Sequence, residues 1–361
     1  MYKKLCKRNK PLNNMWNFSY TFNTDGCQAA NSSKVSIWPI YATLNELPYK
    51  MRSKYMMLLG IWVNKRESNM QIFLQPFVKE ANFLSTYGLQ WQYDKNTIIT
   101  SRIISICCCV DSVARPAMLN MKQFNGHYGC TFCEHPTEYV EGYRKYPVST
   151  NIFPNRTNVS IKQNMITAHA TSIPIKGVKG PSPLMSLKYF DLVNGMVPDY
   201  MHSVLLGVTK QLTEMYFSYP GKKFYVGQPN MFETINNRLL HIRPPKNITR
   251  QPRSLHERSL WKASEWRSWL MWYSLVCLYG ILPKKYVAHL AQLVCAIHTF
   301  FTKIHFNRHD TKSKFTAKKI CYFISTVFWE TCNDVQCPSL TTSFKQCRKL
   351  GTVMGNKYIS V

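Results

Sequence analysis

The clearest pattern in the chain is an alternation near its start. Trp16, Phe18, Tyr20 and Phe22 interleave with Asn17, Ser19, Thr21 and Asn23. That period of two predicts a half-buried strand, which runs straight into Thr24-Asp25-Gly26. A second β-rich stretch covers Ser36 to Thr43. Pro39 inside it predicts an edge or a bulge, because proline cannot donate to a ladder. A third stretch runs from Tyr55 to Val63. The period then changes: Phe73, Phe77, Val78, Ala81 and Leu84 recur at helical spacing, with Gly88 as a stop. Ile103 to Val110 is a continuous apolar run ending at Asp111, as expected of a strand covered on both faces.

Strand, strand, strand, helix, strand is the order of the RNase H-like fold. Its first three strands form an antiparallel meander, and the fourth lies parallel beside the first. That relation would bring Asp25 and Asp111 together at one end of the sheet. The predicted class is therefore α/β, a mixed sheet flanked by helices over 14–115. Residues 116–183 are rich in turn formers and hold the basic loop Lys176-Gly177-Val178-Lys179-Gly180-Pro181. From about Leu187 the period becomes helical. Helices are predicted over Val204 to Met215, Trp261 to Tyr279 and Tyr286 to Phe301, the last two parted by Leu282-Pro283. This makes 184–330 a large, mainly α-helical insertion, followed by a tail over 331–361.

Composition narrows the function. The 361 residues are 45% hydrophobic, enough for a sizeable core. Lys and Arg number 46 against 18 Asp and Glu, a formal charge of +28. Such a balance points to a polyanionic partner, because phosphates neutralised by the protein release condensed counterions. The 13 cysteines do not form the framework of a small secreted domain. Cys107, Cys108 and Cys109 are consecutive, which suits a buried strand in a reducing compartment. No signal peptide is visible, and the most apolar stretch, Trp269 to Leu282, is too short to span a bilayer. An intracellular protein with no membrane partner is expected.

Several residue groups could carry chemistry. Asp25 and Asp111 could hold Mg²⁺ or Mn²⁺, since hard divalent ions prefer carboxylate oxygen. Two such ions activate an attacking hydroxyl and stabilise the leaving oxygen of a phosphodiester. The bland reading is a turn Asp beside a glycine and a surface Asp after a strand. Cys130-Thr131-Phe132-Cys133 could place two thiolates on a structural Zn²⁺, with His127, His135 or His202 as further ligands. A redox pair or two core cysteines are the alternatives. Asp199 and His202 open a predicted helix, where Asp199 could be an N-cap or the pair could serve a metal. Glu265 could be a third metal-binding carboxylate, but a first-turn acid complementing the helix dipole is favoured. Basic residues on or near the helical part (Lys176, Lys179, Arg250, Arg253, Arg258, Arg267, Lys284 and Lys285) could contact a DNA backbone. Lys176, Lys179, Arg258 and Arg267 are the chosen candidates.

These residues together carry a resemblance. Asp111-Ser112-Val113-Ala114-Arg115-Pro116, followed by Phe124-Asn125-Gly126-His127-Tyr128-Gly129-Cys130-Thr131-Phe132-Cys133, is similar to the central block of CACTA-type DNA transposases, the group with Mirage and Chapaev elements. Gly177 to Leu184, Val197 to His202 and Trp261 to Arg267 match further blocks in the same order. The resemblance runs from about Trp16 to about Phe301.

It implies a DDE nuclease whose first two acids are Asp25 and Asp111, a zinc knuckle at Cys130 and Cys133, and an Asp-x-x-His motif at Asp199 and His202. It also implies action on transposon-end DNA, in the nucleus and as a homo-oligomer; without it, a cytoplasmic location is the default. The C-terminus departs from the family pattern. Where an Asn-x-His block is expected, the chain reads Asn333-Asp334-Val335-Gln336, and no Glu or Asp follows Asp334. The expected product is a core truncated at both ends, lacking its third acid and impaired in catalysis. A domesticated DNA- or chromatin-binding protein without catalysis is the alternative.

Overall fold

A computed structural model describes residues 2–301, apart from 29–34, 66–68, 141–142, 147–152, 247 and 249. The tail over 331–361, with Asn333 to Gln336, lies outside the described residues. The chain divides into two units, Met1–Asp199 and Tyr200–Val361.

The first unit is built on a mixed sheet with flanking helices. Its strands are β1 (Phe18–Thr24), β2 (Cys27–Gln28), β3 (Ser36–Leu44) and β4 (Met57–Asn64). The hairpin β5 (Leu89–Gln92) and β6 (Ile98–Ser101) stands apart, before β7 (Ile103–Val110). A small ribbon, β8 (Glu138–Val140) and β9 (Tyr143–Lys145), precedes β10 (Met196–Pro198). β1, β3 and β4 form an antiparallel meander, with β2 continuing the line of β1 along β3. β7 runs parallel to β1, and β10 runs parallel to β7 on its far side. All four expected strands and the expected helix, Met70–Thr86, are therefore present, in the expected order.

Packing explains why these segments hold. Phe22 is fully buried, with its ring 4.8 Å from Phe77 of that helix and 5.8 Å from Phe190. Ile104, Ile106, Cys107 and Cys108 of β7 are all buried, so this strand is covered on both faces, and none of its cysteines forms a disulfide. Pro39 does not lie on an edge: β3 sits between β1 with β2 on one side and β4 on the other. A register shift follows it immediately, between Ile40 and Tyr41, which is the bulge expectation. The Cys-x-x-Cys segment shares the core of the sheet, since Met118, Cys130, Phe132 and Cys133 pack in one cluster with Phe22. The first unit runs to Asp199, and β10 completes its sheet.

The second unit is helical as far as it is described. Met201–Thr209 has π-helical hydrogen bonding and passes into an α-helix over Lys210–Ser218. Pro229–His241 and Lys284–Phe301 are regular α-helices. The stretch predicted as one helix from Trp261 is Ala263–Ser268, a wider turn over Trp269–Tyr273 and Ser274–Leu278. Its core is aromatic: Trp266 and Trp269 are fully buried, and Trp269 Nε1 donates to Thr213 Oγ1 at 2.9 Å. No described helix is long and apolar enough to cross a membrane.

Candidate metal centre at the strand ends

The site begins with a break in a ladder. Thr24 pairs with Ile40 and Cys27 with Ile37, so Asp25-Gly26 lies opposite Trp38-Pro39. Pro39 has no N–H to offer there, and the regular pairing lapses. Gly26 is demanded by Trp38: a Cβ at that position would sit 2.4 Å from the indole. The interruption ends β1 and presents Asp25, which is exposed, at the strand's C-terminal end.

The register then aligns three aspartates. β1 and β7 pair in parallel up to Phe22↔Cys108, and the same register continued by three residues on each strand would set Asp25 opposite Asp111 (22 + 3 and 108 + 3). β7 and β10 pair up to Val110↔Pro198, so the next residues are Asp111 and Asp199. The Asp199 amide donates to the Val110 carbonyl at 3.0 Å, which extends the ladder by one bond. Three neighbouring parallel strands thus end in Asp25, Asp111 and Asp199, with Asp111 in the middle. From sequence, the aspartate that ends β10 reads only as a cap or motif residue.

Asp111 also shapes the chain behind it. Its Oδ1 accepts from Val113 N at 3.1 Å and Ala114 N at 2.6 Å, satisfying donors at the start of the Ala114–Met118 helix. One turn on, Arg115 is buried with its guanidinium 4.9 Å from the Phe132 ring centroid. Burial pushes its pKa down to about 10, against the opposing pull of Cys130 and Asp111. The donor set fits hard divalent ions in kind, being carboxylates on adjacent strand ends. Among the described residues, however, no three His, Cys, Asp or Glu side chains converge as a metal-binding group.

The Cys-x-x-Cys turn is folded tightly. Gly129 precedes it because a Cβ there would fall 2.1 Å from the Gln123 carbonyl oxygen. Phe132 N donates to Cys130 Sγ at 3.4 Å, and both cysteines are buried outside any disulfide. Arg156, also buried, donates from Nε to the Cys130 carbonyl at 3.0 Å. Nε and Nη1 of Arg115 and Nη1 of Arg156 are buried without a hydrogen-bond partner among the described residues. Cys130 is an electrostatic neighbour of both Arg115 and Arg156. As zinc ligands, Cys130 and Cys133 would supply two of four tetrahedral positions. Nδ1 of His127 faces the Thr137 carbonyl and Nδ1 of His135 the Pro136 carbonyl, the backbone contact that a histidine ligating through its other ring nitrogen also makes. His202 belongs to the second unit, half-buried on its first helix.

The basic candidates divide in two. Lys176 is paired with Glu134. Arg258 is committed to Glu214, with Nε and Nη2 each 3.0 Å from a carboxylate oxygen and the guanidinium over Phe217 and Phe232. Lys179 is exposed, and so is Arg267, 5.8 Å from the Trp272 ring centroid. Glu265 accepts from Lys262 N at 2.8 Å and pairs with Arg253 at 3.0 Å and Arg250 at 3.5 Å, the part of a first-turn acid.

No protein-family model matches the chain, and no curated protein matches it either.

Proposed function

We propose that this protein is derived from a DDE-type DNA transposase of the CACTA group. In this reading the sheet is an RNase H-like core, and its strand-end carboxylates bind Mg²⁺ or Mn²⁺. The observation that supports it is the parallel pairing of β1, β7 and β10, whose register, continued past the last paired residues, leads to Asp25, Asp111 and Asp199. The meander followed by parallel β7 and β10 supports it as well.

Asp25 and Asp111 are the residues that would hold the ions, and Asp199 stands where it could add a third carboxylate. Bound there, a divalent ion supplies Lewis-acid activation of a hydroxyl attacking a phosphodiester. The chain's own part is to fix the carboxylates: Gly26 and Pro39 present Asp25, the helix start anchors Asp111, and the ladder bond to Val110 anchors Asp199. Cys130 and Cys133 would hold a structural zinc completed by ligands elsewhere. The partner is DNA, the setting the nucleus, and a homo-oligomer is the working form.

A Mn²⁺-dependent nicking assay on supercoiled DNA tests the reading. Slow cleavage that disappears in Asp111→Asn and Asp25→Asn supports it; cleavage unaffected by both defeats it. The non-catalytic alternative is favoured by one observation, that Asp111 Oδ1 already accepts two backbone N–H groups. It expects salt-sensitive DNA binding with no metal-dependent cleavage.

A further inference from the structure

We propose that Lys222, Lys223 and Lys284 form a docking surface on the second unit for the phosphate backbone of duplex DNA. The inference rests on the nucleic-acid reading above and narrows it to a named surface.

Between Tyr200 and Phe301 there are 13 Lys and Arg against 4 acidic residues, a balance of +9. All four acids are already engaged. Glu214 pairs with Arg258, Glu233 with His256, Glu257 with Arg253, and Glu265 with Arg250 and Arg253. The unit's negative charge is therefore met chiefly by arginines. Lys222, Lys223 and Lys284 are exposed, and none makes an ion pair among the described residues.

Packing gathers these lysines. Phe224, fully buried, meets Tyr286 edge-on, with centroids 5.5 Å apart and planes at 80°. Lys223 precedes the first ring, and Lys284 stands two residues before the second. The ring contact therefore fastens the Lys222-Lys223 turn to the start of the Lys284–Phe301 helix. The turn is tight and open: Tyr225 N donates to the Lys222 carbonyl at 2.9 Å, and Gly221 has φ +83° with nothing within 4 Å of where a Cβ would stand. The helix has 18 residues and no acid in its first turn, so its positive end adds to the lysines. Ammonium groups on flexible stems suit sequence-independent phosphate contact.

The test uses the full chain, a fluorescein-labelled duplex of arbitrary sequence and EDTA, with anisotropy followed over a series of KCl concentrations. The triple variant Lys222→Gln, Lys223→Gln and Lys284→Gln is expected to reduce the slope of log affinity against log salt by about 2 to 3. The corresponding triple Arg variant should restore it. Lys284→Gln alone should lower the slope by about 0.9, which keeps the test usable if the triple variant misfolds. A triple variant with the wild-type slope overturns the surface, as does a wild-type chain that does not bind duplex DNA. Loss of binding to phosphatidylserine vesicles with DNA binding intact overturns it too. Failure of the strand-end reading has a different signature: Mn²⁺-dependent cleavage that survives Asp111→Asn, with the salt slope of binding untouched.

Discussion

The amide of Asp199 donates to the carbonyl of Val110 at 3.0 Å, and that bond seats Asp199 beside Asp111. The aspartates of β7 and β10 are therefore neighbours through the backbone, whatever their side chains do. On the other side of β7, the parallel pairing with β1 is seen as far as Phe22↔Cys108, and its register continued by three residues leads to Asp25.

Asp111 has two separable parts to play. An Asn at 111 keeps an oxygen that can accept from Val113 and Ala114. Asp111→Asn is expected to change unfolding free energy by less than about 0.5 kcal/mol, while Asp111→Ala costs about 1 kcal/mol. Urea titration checks both, and any metal-dependent cleavage should fall by roughly a hundredfold or more in either variant.

Phe22 anchors the sheet against its helix. With rings of Phe77 and Phe190 around it and no exposure, Phe22→Ala should cost about 3–5 kcal/mol in a urea titration. A loss under about 1 kcal/mol would mean that this core collapses easily around the gap.

Arg258 separates structural cations from docking cations. Its pairing with Glu214 and its place over two rings predict a loss of about 1–2 kcal/mol for Arg258→Ala. The salt slope of DNA binding should barely move. A stability unchanged by the substitution, with a reduced slope, would return Arg258 to the DNA contacts.

Much of this arrangement is legible in the sequence, and the exceptions have physical reasons. The alternation from Trp16 to Asn23 and the run from Ile103 to Val110 give β1 and β7, and Asp25 and Asp111 follow from where those runs stop. β10 is not legible: it is only Met196–Pro198, ends in proline, and exists because it pairs with a strand some 88 residues away (196 − 108). Pro39 reads as a possible edge because the sequence cannot show that the ladder beside it has lapsed at Asp25-Gly26. Arg258 looks like a surface cation until its partner Glu214, 44 residues away, is brought to it. Glu265 is legible as a first-turn acid because its role is local: it caps Lys262, three residues back.

Alkaline stability should follow Cys277. Burial pushes its thiol up to about 12 from an ordinary 9.0. The folded state keeps this proton where the unfolded chain loses it. The contribution is thus present below about pH 9 and lost as pH rises toward about 12. Burial also raises Tyr20 and Tyr216, which adds to the same fall at higher pH. Melting temperatures across this range should drop less steeply for Cys277→Ala than for wild type.

The most direct measurement is Mn²⁺ binding followed by electron paramagnetic resonance on the intact chain and on Asp25→Asn, Asp111→Asn and Asp199→Asn. The account expects saturable binding by the wild type, abolished by substitution of Asp111 and weakened by either neighbour. Equal Mn²⁺ uptake by all four proteins would contradict it.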